Sequence, residues 1–214
     1  MKYWIFSILT AVLAYGAGSL STMVLASNFV FRTNLRRLGR GSLWLDGFRR
    51  VYGIKGFIKL ALVEFVKDAI PLIIGGMLFS FSGNAVVGRA LAAFCLVLGR
   101  MYPIIYDLRG GYASAAICLG AMFVSFSGGA AAMLICLLVA LATRYLAIGT
   151  LAGSIVLAVV AVLVVDNPLA VRLVILITVL TVVRMIPAVS RILAGKEERL
   201  SFKRDISYKF DEKI

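Results

Sequence analysis

Six arginines and three glycines stand in the stretch Arg32 to Arg50, RTNLRRLGRGSLWLDGFRR, against a single acid, Asp46. A guanidinium offers phosphate oxygens a planar fork of donors, and glycines let successive backbone N–H groups turn toward the same anion. The chemistry such a stretch would do is capture of a phosphorylated or otherwise anionic group. Arg36, Arg40 and Arg50, with Gly39 and Gly41, are the candidate ligands. A second basic turn, GRMYPIIYDLRGGY from Gly99 to Tyr112, adds Arg100, Arg109, Gly110 and Gly111. The same residues also have a plainer reading, because basic loops beside membrane spans mark the cytoplasmic side.

A third group is acidic and basic together. Glu64, Lys67 and Asp68 recur at helical spacing ahead of Pro71, so their side chains share one helix face inside an apolar run. Ionisable groups at membrane depth face protein or water and are functional candidates. The chain has no histidine, which removes the commonest acid–base group at neutral pH and the commonest transition-metal ligand. Cys95, Cys118 and Cys136 lie singly in apolar runs, without the spacing of a disulfide framework or a zinc site. No metal and no cofactor are expected.

The elements that must position these groups are membrane helices. Of 214 residues, 62% are hydrophobic and the mean hydropathy is +1.00, more apolar surface than one soluble core can bury. The formal charge of +13 fits anionic lipid headgroups more simply than nucleic acid. Residues 1–17 have the look of a signal peptide, but the apolar run continues to Phe31 and reads as a retained span from Tyr3 to Phe31. The sequence predicts further helices from Val51 to Phe81, bent at Pro71, and from Ala85 to Tyr106. Two short helices between Tyr112 and Arg144 are separated at Ser127-Gly128-Gly129. The last two run from Leu146 to Val165 and Leu169 to Val183. The expected fold is an all-α polytopic bundle of about seven transmembrane helices over residues 1–190, followed by a basic cytoplasmic tail, 191–214, within a polar region that begins at Arg184.

Positive charge alternates between the connections. Arg32 to Arg50, Arg109, Arg144 and the tail fall on one side, and the SFSGN, SGG and DNP turns on the other. Lys2, Arg89 and Arg172 are exceptions. This pattern implies an external N-terminus and a cytoplasmic C-terminus.

With these motifs in order, the chain resembles the bacterial PlsY family, membrane enzymes that move an acyl group from acyl-phosphate to glycerol 3-phosphate. Gly18-Ser19 looks like the family's GSIP start. Arg36, Gly39, Gly41 and Arg50 resemble its DIRxxGSGNxGATNxLR loop. Glu64 to Pro71 is similar to DxxKGxxP, and Gly99 to Gly111 to GHxFPxxxxFKGGK. Thr143-Arg144-Tyr145 matches TRY, and RILAGKE at Arg191 to Glu197 looks like RLLxGxE. The resemblance covers nearly the whole chain and implies a PlsY-like fold in the bacterial plasma membrane. Its implied ligands are acyl-phosphate, glycerol 3-phosphate or another anionic lipid precursor.

The departures from the family pattern gather where its chemistry is. Arg40 stands for the loop serine, Leu45-Asp46-Gly47 for part of GATN, Arg100 for the histidine and Tyr112 for the lysine. Met185 and Ala188 stand for the last motif's histidine and asparagine. Acyl transfer needs a base for the hydroxyl nucleophile, donors for the oxyanion and a cationic seat for phosphate. Arg50, Arg100 and Arg109 are the candidates for the seat. Asp46 or Glu64 would have to be the base, and Ser42 is the nearest stand-in for the serine. The leading expectation is therefore a homologue with degraded catalytic motifs that binds anions or lipid headgroups and serves a lipid-synthesis partner. An acyltransferase with rearranged residues is the alternative, and a small lipid transporter the third.

Overall fold

The computed structural model describes backbone residues 2–22, 45–108 and 110–197, and the side chains among them other than those of residues 2, 3, 45–57 and 106. Among the described residues there are seven α-helices. They are α1 (Lys2–Ser19), α2 (Leu45–Ser80), α3 (Ala85–Met101), α4 (Ser114–Val124), α5 (Phe126–Thr143), α6 (Leu146–Val164) and α7 (Pro168–Leu193). A 3-10 turn, Ile104–Tyr106, lies between α3 and α4. Three helices, α5, α6 and α7, are long and apolar enough to cross a membrane. The other four are shorter or carry the charged residues.

At the centre is α3, where Ala90, Ala92, Ala93, Leu96, Val97, Gly99 and Arg100 are all buried. Apolar association gains little inside lipid, so helices there are held by close backbone approach at small residues. A Cβ on Gly18 of α1 would overlap the Leu96 carbonyl, and one on Gly99 of α3 would overlap the Tyr15 carbonyl. Three turns earlier on α3, Gly88 and Gly75 of α2 meet in the same manner. Thus α1 and α2 grip α3 backbone to backbone. In α7 the buried residues are Ala170, Val174, Ile177, Thr181, Met185 and Ala188, one stripe at steps of three and four that leaves the opposite face to lipid.

Several boundaries differ from the sequence expectation, each for a physical reason. The first helix ends at Ser19 rather than Phe31. Its end is anchored from α2: Lys67 donates to the Leu20 carbonyl, and Glu64 Oε2 accepts from the Thr22 N–H at 3.0 Å. The second helix begins at Leu45, not Val51, so Asp46, Gly47 and Arg50 are helical rather than in the loop, and it continues through Pro71. Its 36 residues measure about 54 Å at about 1.5 Å each, well over the hydrocarbon thickness of about 30 Å. The third helix stops at Met101, because Pro103 cannot continue it.

The break between α4 and α5 falls at Ser125, and Ser127-Gly128-Gly129 is helical. Ser125 caps α5, accepting from the Gly128 N–H at 3.3 Å, while Gly129 lets α5 close on the Met122 backbone. These glycines are contact points and not breakers. The last helix reaches Leu193, across Pro187, so residues 184–193 are helix and not tail. Its start is capped by Asn167, which accepts from Leu169 N–H at 3.0 Å, with Pro168 at the first position.

The glycine contacts make a paired prediction. Gly99→Ala should destabilise the bundle by about 1–3 kcal/mol, as overpacking does. Gly16→Ala, where a Cβ meets nothing within 4 Å, should be neutral or stabilising by about 0.5–1 kcal/mol. Thermal unfolding in one detergent would check both. Equal behaviour of the two variants would contradict the contact.

Candidate functional site

Antiparallel packing of α2 on α3 sets Glu64 and Asp68 opposite Arg100. Arg100 pairs with Glu64 Oε1 through Nη1 and with Asp68 Oδ2 through Nη2 at 2.5 Å. Lys67 Nζ reaches Glu64 Oε1 at 2.8 Å and Asp68 Oδ1 at 3.6 Å. Glu64, Asp68 and Arg100 are almost wholly buried. Two acids and two bases make the group neutral, which is the condition for keeping charges out of water. The charged face read from the sequence therefore meets protein. It lies level with the ends of α1 and α3, and α2 from Leu45 to Val63 extends beyond it.

A second polar layer forms at the same end, between the turn after α3 and the end of α7. Tyr15 donates to the Tyr102 carbonyl at 2.7 Å, fixing the turn to α1. Gly110 packs against the Arg100 and Met101 carbonyls so tightly that a Cβ would overlap them. Its own carbonyl accepts from Arg184 Nη2 at 2.7 Å, and the Arg184 guanidinium lies 5.3 Å from the Tyr102 ring centroid. Asp107, Leu108 and Ala113 take left-handed backbone angles, with φ of 53°, 59° and 56°. For Leu108 and Ala113 such angles cost about 1–2 kcal/mol each, so the turn is held by its neighbours and not by local preference.

From Tyr112 the layer continues to the end of α7 and the turn just past it. Tyr112 OH donates to Glu197 Oε1 and accepts from Arg191 Nη2 at 3.5 Å. Arg191 Nε donates to Glu197 Oε2 at 2.6 Å. Burial first, and then the Glu197 carboxylate, push the Tyr112 hydroxyl up to about 12. It therefore stays a protonated donor through neutral pH. Behind it, Met185, Ala188 and Ala147 form a small apolar cluster against which the Tyr112 ring packs.

Of the residues read from the sequence, Glu64, Lys67, Asp68 and Arg100 are brought together, and Gly110 joins the second layer. Arg100 is directed to two carboxylates, a use that competes with the phosphate seat expected of it. Gly111 is buried in the turn. Ser42, Arg36, Gly39, Arg40, Gly41 and Arg109 lie outside the described residues, and Asp46 and Arg50 sit on the described backbone of α2 with their side chains outside it. Among the described residues no group of three or more His, Cys, Asp or Glu is placed to hold a metal ion. The residues that sequence reasoning missed are Tyr102, Arg184, Arg191 and Glu197. Arg191 and Glu197 were visible in the RILAGKE segment. Arg184 had no signal beyond its charge.

A family model described as glycerol-3-phosphate acyltransferase matches residues 8–195. The glycerol-3-phosphate acyltransferase of Thermoanaerobacter pseudethanolicus is 25% identical over 201 residues, covering 94% of this chain and 99% of its own. Glycerol-3-phosphate acyltransferase 2 of Bacillus anthracis is 25% identical over 194 residues, covering 91% and 99%. Among solved structures, PlsY (YgiH), an integral membrane glycerol 3-phosphate acyltransferase, is similar in its glycerol 3-phosphate form with a TM-score of 0.77. The identity is 21%, and 91% of this chain and 96% of that one are covered. At that identity the likeness is one of fold.

The buried quartet yields a prediction of opposite signs. Arg100→Met alone strands two buried carboxylates and should cost about 3–5 kcal/mol. Glu64→Gln, Asp68→Asn and Arg100→Met together remove the three most buried charges, leaving Lys67, whose side chain is 21% exposed, and should recover most of that loss. Unfolding temperatures of the two purified variants would check it, and a triple variant no better than the single would count against a coupled cluster.

Proposed function

The chain belongs to the glycerol-3-phosphate acyltransferase family, the PlsY-type integral membrane proteins, and from that premise we propose that it keeps an anion-binding cytoplasmic mouth without the family's proton-transfer chemistry. The observation that carries this reading is the clamp on Glu64. A general base must present a lone pair to the hydroxyl it deprotonates. Glu64 Oε1 is engaged by Arg100 and Lys67, Oε2 accepts from the Thr22 N–H, and the residue is only 6% exposed, so burial keeps an incoming hydroxyl from the remaining lone pair. The side chain at 100, where the resembling family motif has histidine, carries a charge it cannot lose at working pH.

Arg184 and Arg191 supply positive charge beside the Gly110-Gly111 turn, and Arg36, Arg40, Arg50 and Arg109 are proposed to complete an anion seat with Gly39, Gly41 and these glycines. The ligand class is a phosphate on a small polyol or on a lipid precursor, which includes glycerol 3-phosphate and acyl-phosphate. In this reading the protein sits in the bacterial plasma membrane with its N-terminus outside and C-terminus inside, in contact with membrane lipids and a lipid-synthesis partner. The arginine-rich connections on one side and the uncharged SFSGN turn and Ser125 break on the other support that orientation.

A second reading, transfer of an acyl group from acyl-phosphate to glycerol 3-phosphate or another phosphorylated acceptor, is favoured by the end-to-end match to relatives bearing that enzyme's name. Ser42 and Asp46 would then carry the chemistry. Purified protein assayed with acyl-phosphate and a panel of phosphorylated acceptors is expected to show no turnover above the protein-free rate. Turnover that Asp46→Asn or Glu64→Gln abolishes would falsify the non-catalytic reading.

A further inference from the structure

The last helix ends in a reversal that returns an acid to its own final turn. Gly195, at φ +68°, stands just past the end of α7. Its N–H donates to the Ile192 carbonyl at 3.0 Å, and the Lys196 N–H donates to the Arg191 carbonyl at 2.9 Å. This pair of bonds is a helix stop that turns the chain sharply back. It carries Glu197 over Arg191, where Tyr112 meets it from the turn before α4. Both carboxylate oxygens are taken, one by a guanidinium and one by a hydroxyl.

A carboxylate gripped at both oxygens by an arginine and a hydroxyl is also a description of how a phosphate is held. Building on the anion-binding reading above, we propose that Arg191 and Tyr112 form a phosphate subsite that Glu197 fills as a built-in competitor. A phosphate monoester, free or on a lipid headgroup, binds there by displacing it. The burial of the pair is asymmetric, with the Glu197 side chain 14% exposed and that of Arg191 48%. The anion is covered while its cation remains open to an incoming group. Arg184 lies two helical turns before Arg191 on the same face, already committed to the Gly110 carbonyl, and raises the local positive potential. Glu197 itself stands outside α7, on the turn that Gly195 opens. Tyr112, at the position resembling the family's lysine, is what makes the plug particular to this chain. A lysine there would neutralise Glu197 as a second cation, whereas tyrosine leaves one arginine to hold it.

The test uses the full chain in detergent micelles, titrated calorimetrically with glycerol 3-phosphate and separately with dihexanoyl phosphatidic acid. Glu197→Gln and Gly195→Val, the second breaking the turn while keeping the acid, should each tighten phosphate binding about tenfold, as removal of a competing closed state does. Adding Arg191→Gln to Glu197→Gln should remove the gain. A gain for glycerol 3-phosphate alone assigns a free ligand, and a gain for the lipid assigns a headgroup. Should Glu197→Gln not give a monodisperse protein, Gly195→Val carries the same decision. Wild-type binding that both variants leave unchanged or weaken overturns the plug and leaves the anion-binding face standing. Absence of binding in the wild type and every variant overturns both.

Discussion

One guanidinium between two carboxylates governs one end of this bundle. A buried charge in a medium of low dielectric is costly alone and tolerable only as part of a neutral, hydrogen-bonded set. Arg100 meets that condition by holding Glu64 and Asp68, and Lys67 completes the balance. The same side chains reach the backbone at Leu20 and Thr22, so three helices are fixed to one another at one depth. Reaching these partners requires α1, α2 and α3 to lie almost in backbone contact. Gly18, Gly75, Gly88 and Gly99 permit that, at positions where any side chain would stand in the way.

The second polar layer depends on the first through the short connection from Met101 to Ala113. The Arg100 and Met101 carbonyls are the surface on which Gly110 rests, and Gly110 presents its own carbonyl to Arg184. A left-handed Leu108 and Ala113 are then consequences of a turn whose two ends are pinned, by α3 on one side and by α7 on the other. Backbone strain of this kind persists where surrounding contacts over-determine a segment, and such segments gather at sites of function. Here the strained turn delivers Tyr112 to Arg191 and Glu197.

Under the proposed non-catalytic reading, these two layers are where one family scaffold would hold different chemistry at its mouth. A residue that gains and loses a proton near neutral pH needs partners that tolerate both states. Arg100 has partners that tolerate only one, and Tyr112 is a donor that keeps its proton.

Much was legible in the residues alone. Apolar length set the helical membrane fold, and the three-and-four spacing of Glu64, Lys67 and Asp68 put them on one helix face that had to meet protein or water. These follow from local geometry and from the cost of exposing polar groups to lipid, and both act along a single stretch of chain. Helix ends were less legible: Gly128 and Gly129 read as breakers until Met122 was seen against them, and Pro187 read as beyond the last helix. The pairing of Arg100 with α2, of Arg184 with Gly110, and of Tyr112 with Glu197 was decided only by tertiary structure. Each joins residues between 32 and 85 positions apart, and a side chain's partner at that range depends on how helices register across space, which no local pattern encodes.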